Sequence, residues 1–390
     1  MIAAGMSAGI EVIRPLEAVV SLANVRHNIA FLRSLLPAGC RFMAVVKANA
    51  YGHGDIEVSR AALRAGSDCL GVALVEEALR LRGAGIDCPV YLLFEPPPYG
   101  LDAVMESNVI CSVYTPELAR ALSEEAVARG TKAWVHIKVD TGMRRVGIYP
   151  ESVAEFAALL RDLPGIEVEG IYTHFALASE PDNPFTDRQM DLFEKASEEA
   201  QAVLGHPVIR HAANSAGVMA FPRSHYDMVR PGIAMYGLPP SGAVPNIDRL
   251  KPALSLEGKV VFVKRVAAGN GISYGLEYAP VQDTYIATLP LGYADGMSRL
   301  LSGKAEVLIG GRRRPVVGVI CMDLCMVDIG PQQGYAGAPA VIIGRDGEEE
   351  ITVDEVARRL GTINYEVTCM ISSRVPRVFT DDLDQEVEGE

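Results

Sequence analysis

None of the seven cysteines, Cys40, Cys69, Cys88, Cys111, Cys321, Cys325 and Cys369, shares a CxxC pair with another. Odd in number and scattered, they indicate neither a disulfide framework nor a zinc site. No apolar stretch reaches the length of a membrane span. The opening residues, MIAAGMSAGIEVIRP, lack the basic region that begins a signal peptide and carry their first charge at Glu11. Positive charge is scarce as well: 36 Lys and Arg stand against 49 Asp and Glu, a formal net charge of −13. Such a chain repels phosphate backbones and anionic lipid, so neither nucleic acid nor a membrane is expected as a partner. The one basic cluster, Arg312 to Arg314, adjoins Gly310, Gly311 and Pro315 and reads as a solvated turn. There is no repeat of fixed period, and only the acidic end, DDLDQEVEGE, reads as a disordered tail. The expectation is a globular protein of a reducing cytoplasm, with a periplasmic form as the alternative.

What is present is enough chain for two cores: 390 residues, 49% of them hydrophobic. Short apolar runs recur at Phe42 to Val46, Cys69 to Ala73, Pro89 to Leu93, Val109 to Val113, Ala133 to Val139, Ile166 to Tyr172, Val208 to His211 and Asp227 to Val229. Between them, segments such as Glu57 to Ala65, Glu76 to Gly83, Pro116 to Arg129, Ser152 to Arg161 and Arg188 to Leu204 repeat apolar residues at helical spacing. Strands alternating with helices in this number suggest an α/β fold, an N-terminal (β/α)8 barrel of TIM type; a doubly wound open sheet is the structural alternative. A Pro- and Gly-rich connection from Pro239 to Pro252 follows. Beyond it lie runs at Leu254 to Val266, Thr284 to Leu289, Ala305 to Ile309, Pro315 to Val319, Met326 to Ile329 and Pro339 to Ile343, and one helix, Val353 to Leu360, opened by a Thr352/Glu355 capping box. The expected division is a barrel over residues 14–245 and a mostly-β domain over 246–382.

Polar residues cluster where these strands end. Lys47 follows the first run, Lys138, Asp140, Arg144 and Arg145 the fifth, His174 the sixth, Asn214 and Ser215 the seventh, and Arg230 with Gly232 the eighth. Barrels build their sites on that face. Taken singly, each has an ordinary alternative: Lys47 a snorkelling strand-end lysine, His174 a histidine bonded to a carbonyl, the arginines surface ion pairs, Asn214 and Ser215 a helix cap. A cap and a phosphate ligand are compatible, because both use the free amides of a helix start.

The segment VVKANAYGHG resembles the pyridoxal-phosphate lysine segment of alanine racemases, and KVDTGMRRVG, THF, AANSAG, VRPGIAMYGL, GISYG, LGYADG, CMD and NYEV follow in that family's order. The resemblance covers almost the whole chain. It implies a pyridoxal 5'-phosphate-dependent isomerase that interconverts L- and D-alanine by a two-base mechanism and supplies D-alanine for the cell wall. By the same resemblance Lys47 holds the cofactor and serves one face of the substrate, and Tyr274 serves the other. Tyr51, Asn214, Ser215, Gly232, Ile233 and Tyr365 surround the phosphate. Arg230 faces the pyridine nitrogen, with His174 linking it to the catalytic tyrosine. Arg145 binds the substrate carboxylate, and Lys138 is the lysine often carbamylated beside it. Tyr274, Tyr293, Met322 and Asp323 come from a partner subunit, so a homodimer with shared sites is implied. The family usually has Gly where this chain has Arg144. Rival readings are a serine or broad-specificity racemase, a decarboxylase of the same fold, whose acidic partner for the ring nitrogen Arg230 replaces, and a non-catalytic pyridoxal-phosphate-binding protein.

Overall fold

The structure, a computed structural model, describes residues 13–381; the acidic tail and the first residues of the chain lie outside them. It comprises two compact units.

The first unit holds residues Asn24–Ala50 and Asp55–Lys251. Its eight parallel strands are Arg41–Val45, Cys69–Val72, Val90–Leu92, Ile110–Val113, Ala133–Lys138, Ile166–Tyr172, Ile209–His211 and Met228–Val229, and they close into a barrel. Closure is made by Arg41 and Phe42 opposite Met228 and Val229. Strands covered on both faces need near-continuous apolar sequence, and Cys69–Val72 is buried throughout. Met43, Cys69, Tyr91 and Met228 form one packed cluster among these strands. Gly170 makes room for a polar exception: a Cβ there would lie 2.3 Å from the His136 ring. The surrounding helices start as their sequences direct, the helix Pro116–Ala128 with proline in its first turn and the Thr115 hydroxyl accepting from Leu118 N.

The second unit holds, among the described residues, 13–23, Tyr51–Gly54 and 252–381. Its sheet runs, in spatial order, Phe262–Val266, Thr284–Leu289, Cys325–Gly330, Arg313–Val317, Glu306–Leu308, Pro339–Asp346, Leu254–Lys259, Leu16–Ser21 and Arg377–Thr380, with Glu349–Ile351 paired to Pro339–Asp346. Three expectations are corrected here. Leu16–Ser21, assigned to the barrel by the 14–245 boundary, pairs with Leu254–Lys259 and Arg377–Thr380; its alternating burial suits a sheet with one wet face. The run Leu254 to Val266 is two strands, broken after Lys259. Arg313 is no turn residue: it begins a strand and bonds Glu306, Glu349 and Glu355. Glu355 is thereby drawn away from the reciprocal arm of a capping box, although Thr352 Oγ1 still accepts from Glu355 N at 3.1 Å.

Candidate active site

The first barrel strand ends at Val45, and the chain then makes a turn of the wrong hand. Ala48, Asn49, Ala50 and Tyr51 all have φ of 53°. Left-handed backbone costs an L-residue roughly 1–2 kcal/mol, so the turn persists only where neighbours hold it. Here Glu77 accepts from Ala48 N at 2.7 Å and from Ala73 N at 2.8 Å, and Asn49 Oδ1 accepts from Asp55 N at 3.1 Å. This strained turn sets the direction of Lys47 at the carboxyl end of the barrel.

The loop after Ala133–Lys138 folds back on its own strand: Ile148 N donates to Lys138 O and Asp140 N to Ile148 O. Asp140 Oδ1 accepts from Gly142 N and Arg144 N. Arg144 takes φ of 57°, the conformation a glycine adopts freely, and its guanidinium stacks over Tyr149. Lys138, Asp140, Arg145 and His174 thereby line one small cavity. Lys138 Nζ donates to Leu93 O at 2.9 Å. Burial, then the charges of Arg145, Arg230 and Lys47, lower its amine to about 7.

Arg230 directly follows the last barrel strand and is 4% exposed. One terminal nitrogen donates to His211 Nδ1 at 2.9 Å; the other reaches Thr173 O at 2.7 Å, Ala212 O at 3.1 Å and His174 Nδ1 at 3.4 Å. Because a guanidinium only donates, His211 Nδ1 must accept, which leaves the proton on Nε2. That proton is donated to His136 Nδ1 at 2.7 Å, and His136 Nε2 donates to Glu169 Oε2 at 3.0 Å. Burial lowers the pKa of both histidines, consistent with the neutral tautomers this chain requires. Glu169 also accepts from the Tyr91 hydroxyl. Every donor in the series points away from Arg230, and Arg230 Nε makes no hydrogen bond to a described residue.

The phosphate candidates of the barrel meet in pairs. Asn214 Oδ1 caps Gly217 N at 3.0 Å, and Ser215 Oγ accepts from Gly232 N at 2.9 Å and Ala234 N at 3.2 Å. Ile233 is the first residue of the short helix that follows. In the second unit, Tyr51 and Tyr365 lie with ring centroids 6.1 Å apart. Burial raises both hydroxyls, Tyr365 to about 12, so both remain donors at neutral pH. In that unit too, Tyr293 N donates to Cys321 O and Ala294 N to Met322 O. Ser273 Oγ lies 3.7 Å from Cys321 Sγ, so the turn carrying Tyr274 is tied to the bend that holds Met322, ahead of the strand Cys325–Gly330. Asp323 pairs with Arg374 at 2.7 Å. Tyr274 is 72% exposed and Met322 52%.

Residues 20–240 match the family described as "Alanine racemase, N-terminal domain" and residues 253–379 "Alanine racemase, C-terminal domain". The chain belongs to the alanine racemase family. It is 48% identical to the alanine racemase of Symbiobacterium thermophilum, covering 94% of this chain and 97% of that one, and 46% identical to that of Desulforamulus reducens, covering 94% and 99%. Among solved structures, the alanine racemase of Clostridium difficile 630 superposes with a TM-score of 0.90 at 39% identity, covering 95% of this chain and 97% of that one. That of Bacillus anthracis with bound L-Ala-P gives 0.89 at 38%, covering 96% and 97%. As a member of that family the protein is a pyridoxal-phosphate-dependent isomerase that racemises alanine. The residues present fit the cofactor: an amine at the barrel mouth, an arginine Nε without a hydrogen-bonding partner among the described residues, and the amides of Gly232 and Ala234 gathered on the Ser215 hydroxyl.

Reading the sequence missed His136, His211, Glu169 and Glu77. A single histidine within an apolar strand carries no signal of its own. Gly170 opposite His136 was the nearest thing to one.

Proposed function

We propose that this protein works with one base on each face of the substrate, Lys47 and Tyr274, in a homodimer whose partner supplies Tyr274, Tyr293, Met322 and Asp323. Arg230 is the observation that carries the reading. A buried cation whose bonding hydrogens all run outward to neutral histidines and carbonyls cannot hand a proton to a ring nitrogen as a carboxylic acid would. Bound pyridoxal phosphate supplies the aldehyde that joins the amino acid and the ring that acidifies its α-carbon. Lys47 carries a proton to or from one face of that carbon, and Tyr274 serves the other. Arg145 binds the substrate carboxylate, and His174, its ring accepting from Arg230, relays to the tyrosine. Asn214, Ser215, Gly232 and Ile233, with Tyr51 and Tyr365, hold the phosphate, and the neutral amine of Lys138 adds CO2 and releases one N–H proton to solvent to give a carbamate.

Two further observations support the dimer. Tyr274 and Met322 are exposed, and so are the large apolar side chains Phe262, Leu276 and Val281 of the same unit. No helix among the described residues is long and apolar enough to cross a membrane. The setting proposed is the cytoplasm, with D-alanine passing to the cell wall, and alanine is preferred over serine as substrate.

Borohydride should fix the cofactor to Lys47 in the purified protein; fixation to another lysine would overturn the site. The dimer is tested by mixing inactive Lys47→Ala and Tyr274→Ala proteins. Random subunit exchange should restore roughly a quarter of parental activity, because half the dimers are mixed and each has one intact site. No recovery despite demonstrated exchange would place both bases on one chain.

A further inference from the structure

Phe94 lies between the strand Val90–Leu92 and the prolines Pro96 to Pro98, outside every role assigned above. Its ring sits among three cations. Lys138 Nζ is 4.5 Å from the ring centroid, the guanidinium carbon of Arg145 5.3 Å and Lys47 Nζ 5.8 Å. The backbone on either side of the ring is anchored. Leu93 O accepts from Lys138 Nζ and from the Tyr172 hydroxyl, each at 2.9 Å. The Glu95 carboxylate accepts from Tyr114 N at 2.5 Å, Thr115 N at 2.7 Å and the Thr115 hydroxyl at 3.0 Å.

The charges around this ring are lopsided. Lys138 is faced by Arg145 from its own loop, by Arg230 from the end of the last strand and by Lys47 from that of the first, and Asp140 opposes them. His174 and the ring of Tyr172 complete its surroundings. Among the described residues no carboxylate forms an ion pair with Lys138, Arg145 or Arg230. A carboxylate would balance the cluster, but it would also fix the amine as an ammonium ion and end its use as a base or as a site of CO2 addition. The negative face of an aromatic ring attracts a cation more weakly and offers it no proton acceptor.

We propose that Phe94 is a positioning residue, its ring gathering Lys47, Lys138 and Arg145 where, among the described residues, no carboxylate pairs with Lys138 or Arg145. The ring then sets how readily Lys138 changes between ammonium and free amine, and so how much of it is open to CO2. The inference rests on the assignment of these cations to the site, but its test reads Lys138 directly and involves no turnover.

In the full-length holoenzyme, Phe94 is replaced by 4-fluoro-, 3,5-difluoro- and pentafluorophenylalanine, which keep the ring's shape while draining charge from its face, and by Phe94→Leu and Phe94→Trp. Trace acetic anhydride labels lysines over a range of pH, and mass spectrometry of the Lys138 peptide gives the pH midpoint of its reaction. The midpoint should fall stepwise along the fluorine series and by about half a unit to one unit in Phe94→Leu. It should return toward the parent value in Phe94→Trp, while exposed Lys195 stays unchanged in all. A midpoint that is flat across the fluorine series, or a Phe94→Trp midpoint as low as that of Phe94→Leu, would overturn the proposal. A failure of that kind leaves the borohydride result at Lys47 untouched, so the site and the role of Phe94 stand or fall separately. Should Phe94→Leu not fold, the isosteric series alone decides.

Discussion

Two clusters of cations in this protein are treated in opposite ways. In the second unit, Arg313 meets Glu355 at 2.7 Å, Glu349 at 2.9 Å and Glu306 at 3.2 Å, while Arg359 joins Glu306 and Glu355 from the other side. Hydrogen bonds donated to Glu355 first, and to the other two carboxylates, push the Arg313 guanidinium above its ordinary pKa, and the bonds they accept from the arginines hold Glu306 and Glu355 below theirs. In the barrel, Lys138 and Arg230 are driven the other way, to about 7 and about 10, chiefly by burial. Charges matched by carboxylates bind elements together and stay as they are. Charges crowded around aromatic rings and carbonyls are costly, and of these two the Lys138 amine keeps the capacity to change protonation state near neutral pH.

The sharpest way to break this contrast is to give the barrel cluster the carboxylate it lacks. Arg230→Glu should slow racemisation by about 10²-fold, and, with Arg230 placed as proposed, transamination should take a larger share of the remaining turnover because an acid would then face the ring nitrogen. An unchanged product ratio in a chiral amino-acid assay would remove Arg230 from that role.

A smaller effect is expected on stability. The Lys138 amine titrates near 7 when folded and at an ordinary 10.5 when unfolded. Between those values the unfolded chain binds more protons, so this group makes folding more favourable as pH rises from about 7 to 10.5; below 7 its burial cost is fully present. Lys138→Met should therefore be more stable than the parent by about 1–3 kcal/mol at pH 7, the gap closing toward pH 10.5 in urea unfolding. A gap that widens with pH would contradict the assignment.

The matched cluster should answer more modestly. Arg313→Ala should cost about 1–2 kcal/mol without altering alanine turnover per folded molecule. Because Glu306 and Glu355 titrate lower when folded, their contribution is present above the unfolded carboxylate range and fades as pH falls through their folded values. The difference between variant and parent should shrink in acid, as measured by thermal unfolding at pH 7 and pH 3.

The barrel was legible because its strands are short apolar runs punctuated by turn formers, and the groups at their carboxyl ends could be read off as soon as the ends were known. Leu16–Ser21 was not, since its choice of Leu254–Lys259 as partner is made far along the chain. The left-handed turn after Lys47 escaped because Ala48, Asn49 and Ala50 contain no glycine to mark positive φ. Arg313 looked solvated because its partners are 7 to 42 residues away. His136 and His211 each resemble a satisfied core histidine until the 2.7 Å contact joins them.

The place of Leu16–Ser21 bears on what happens if the chain is cut. A protease that nicks the connection between Pro239 and Pro252 severs one covalent link, yet the amino-terminal fragment still carries a strand hydrogen-bonded on both sides to the other fragment, by Leu254–Lys259 and by Arg377–Thr380. The same fragment also carries Gly52, whose carbonyl accepts from Arg377 Nε at 2.9 Å. Two separately expressed halves divided at that connection are therefore incomplete pieces, each missing part of the second unit, and belong to fragment complementation: neither half contains the whole sheet, and mixing them is what rebuilds it.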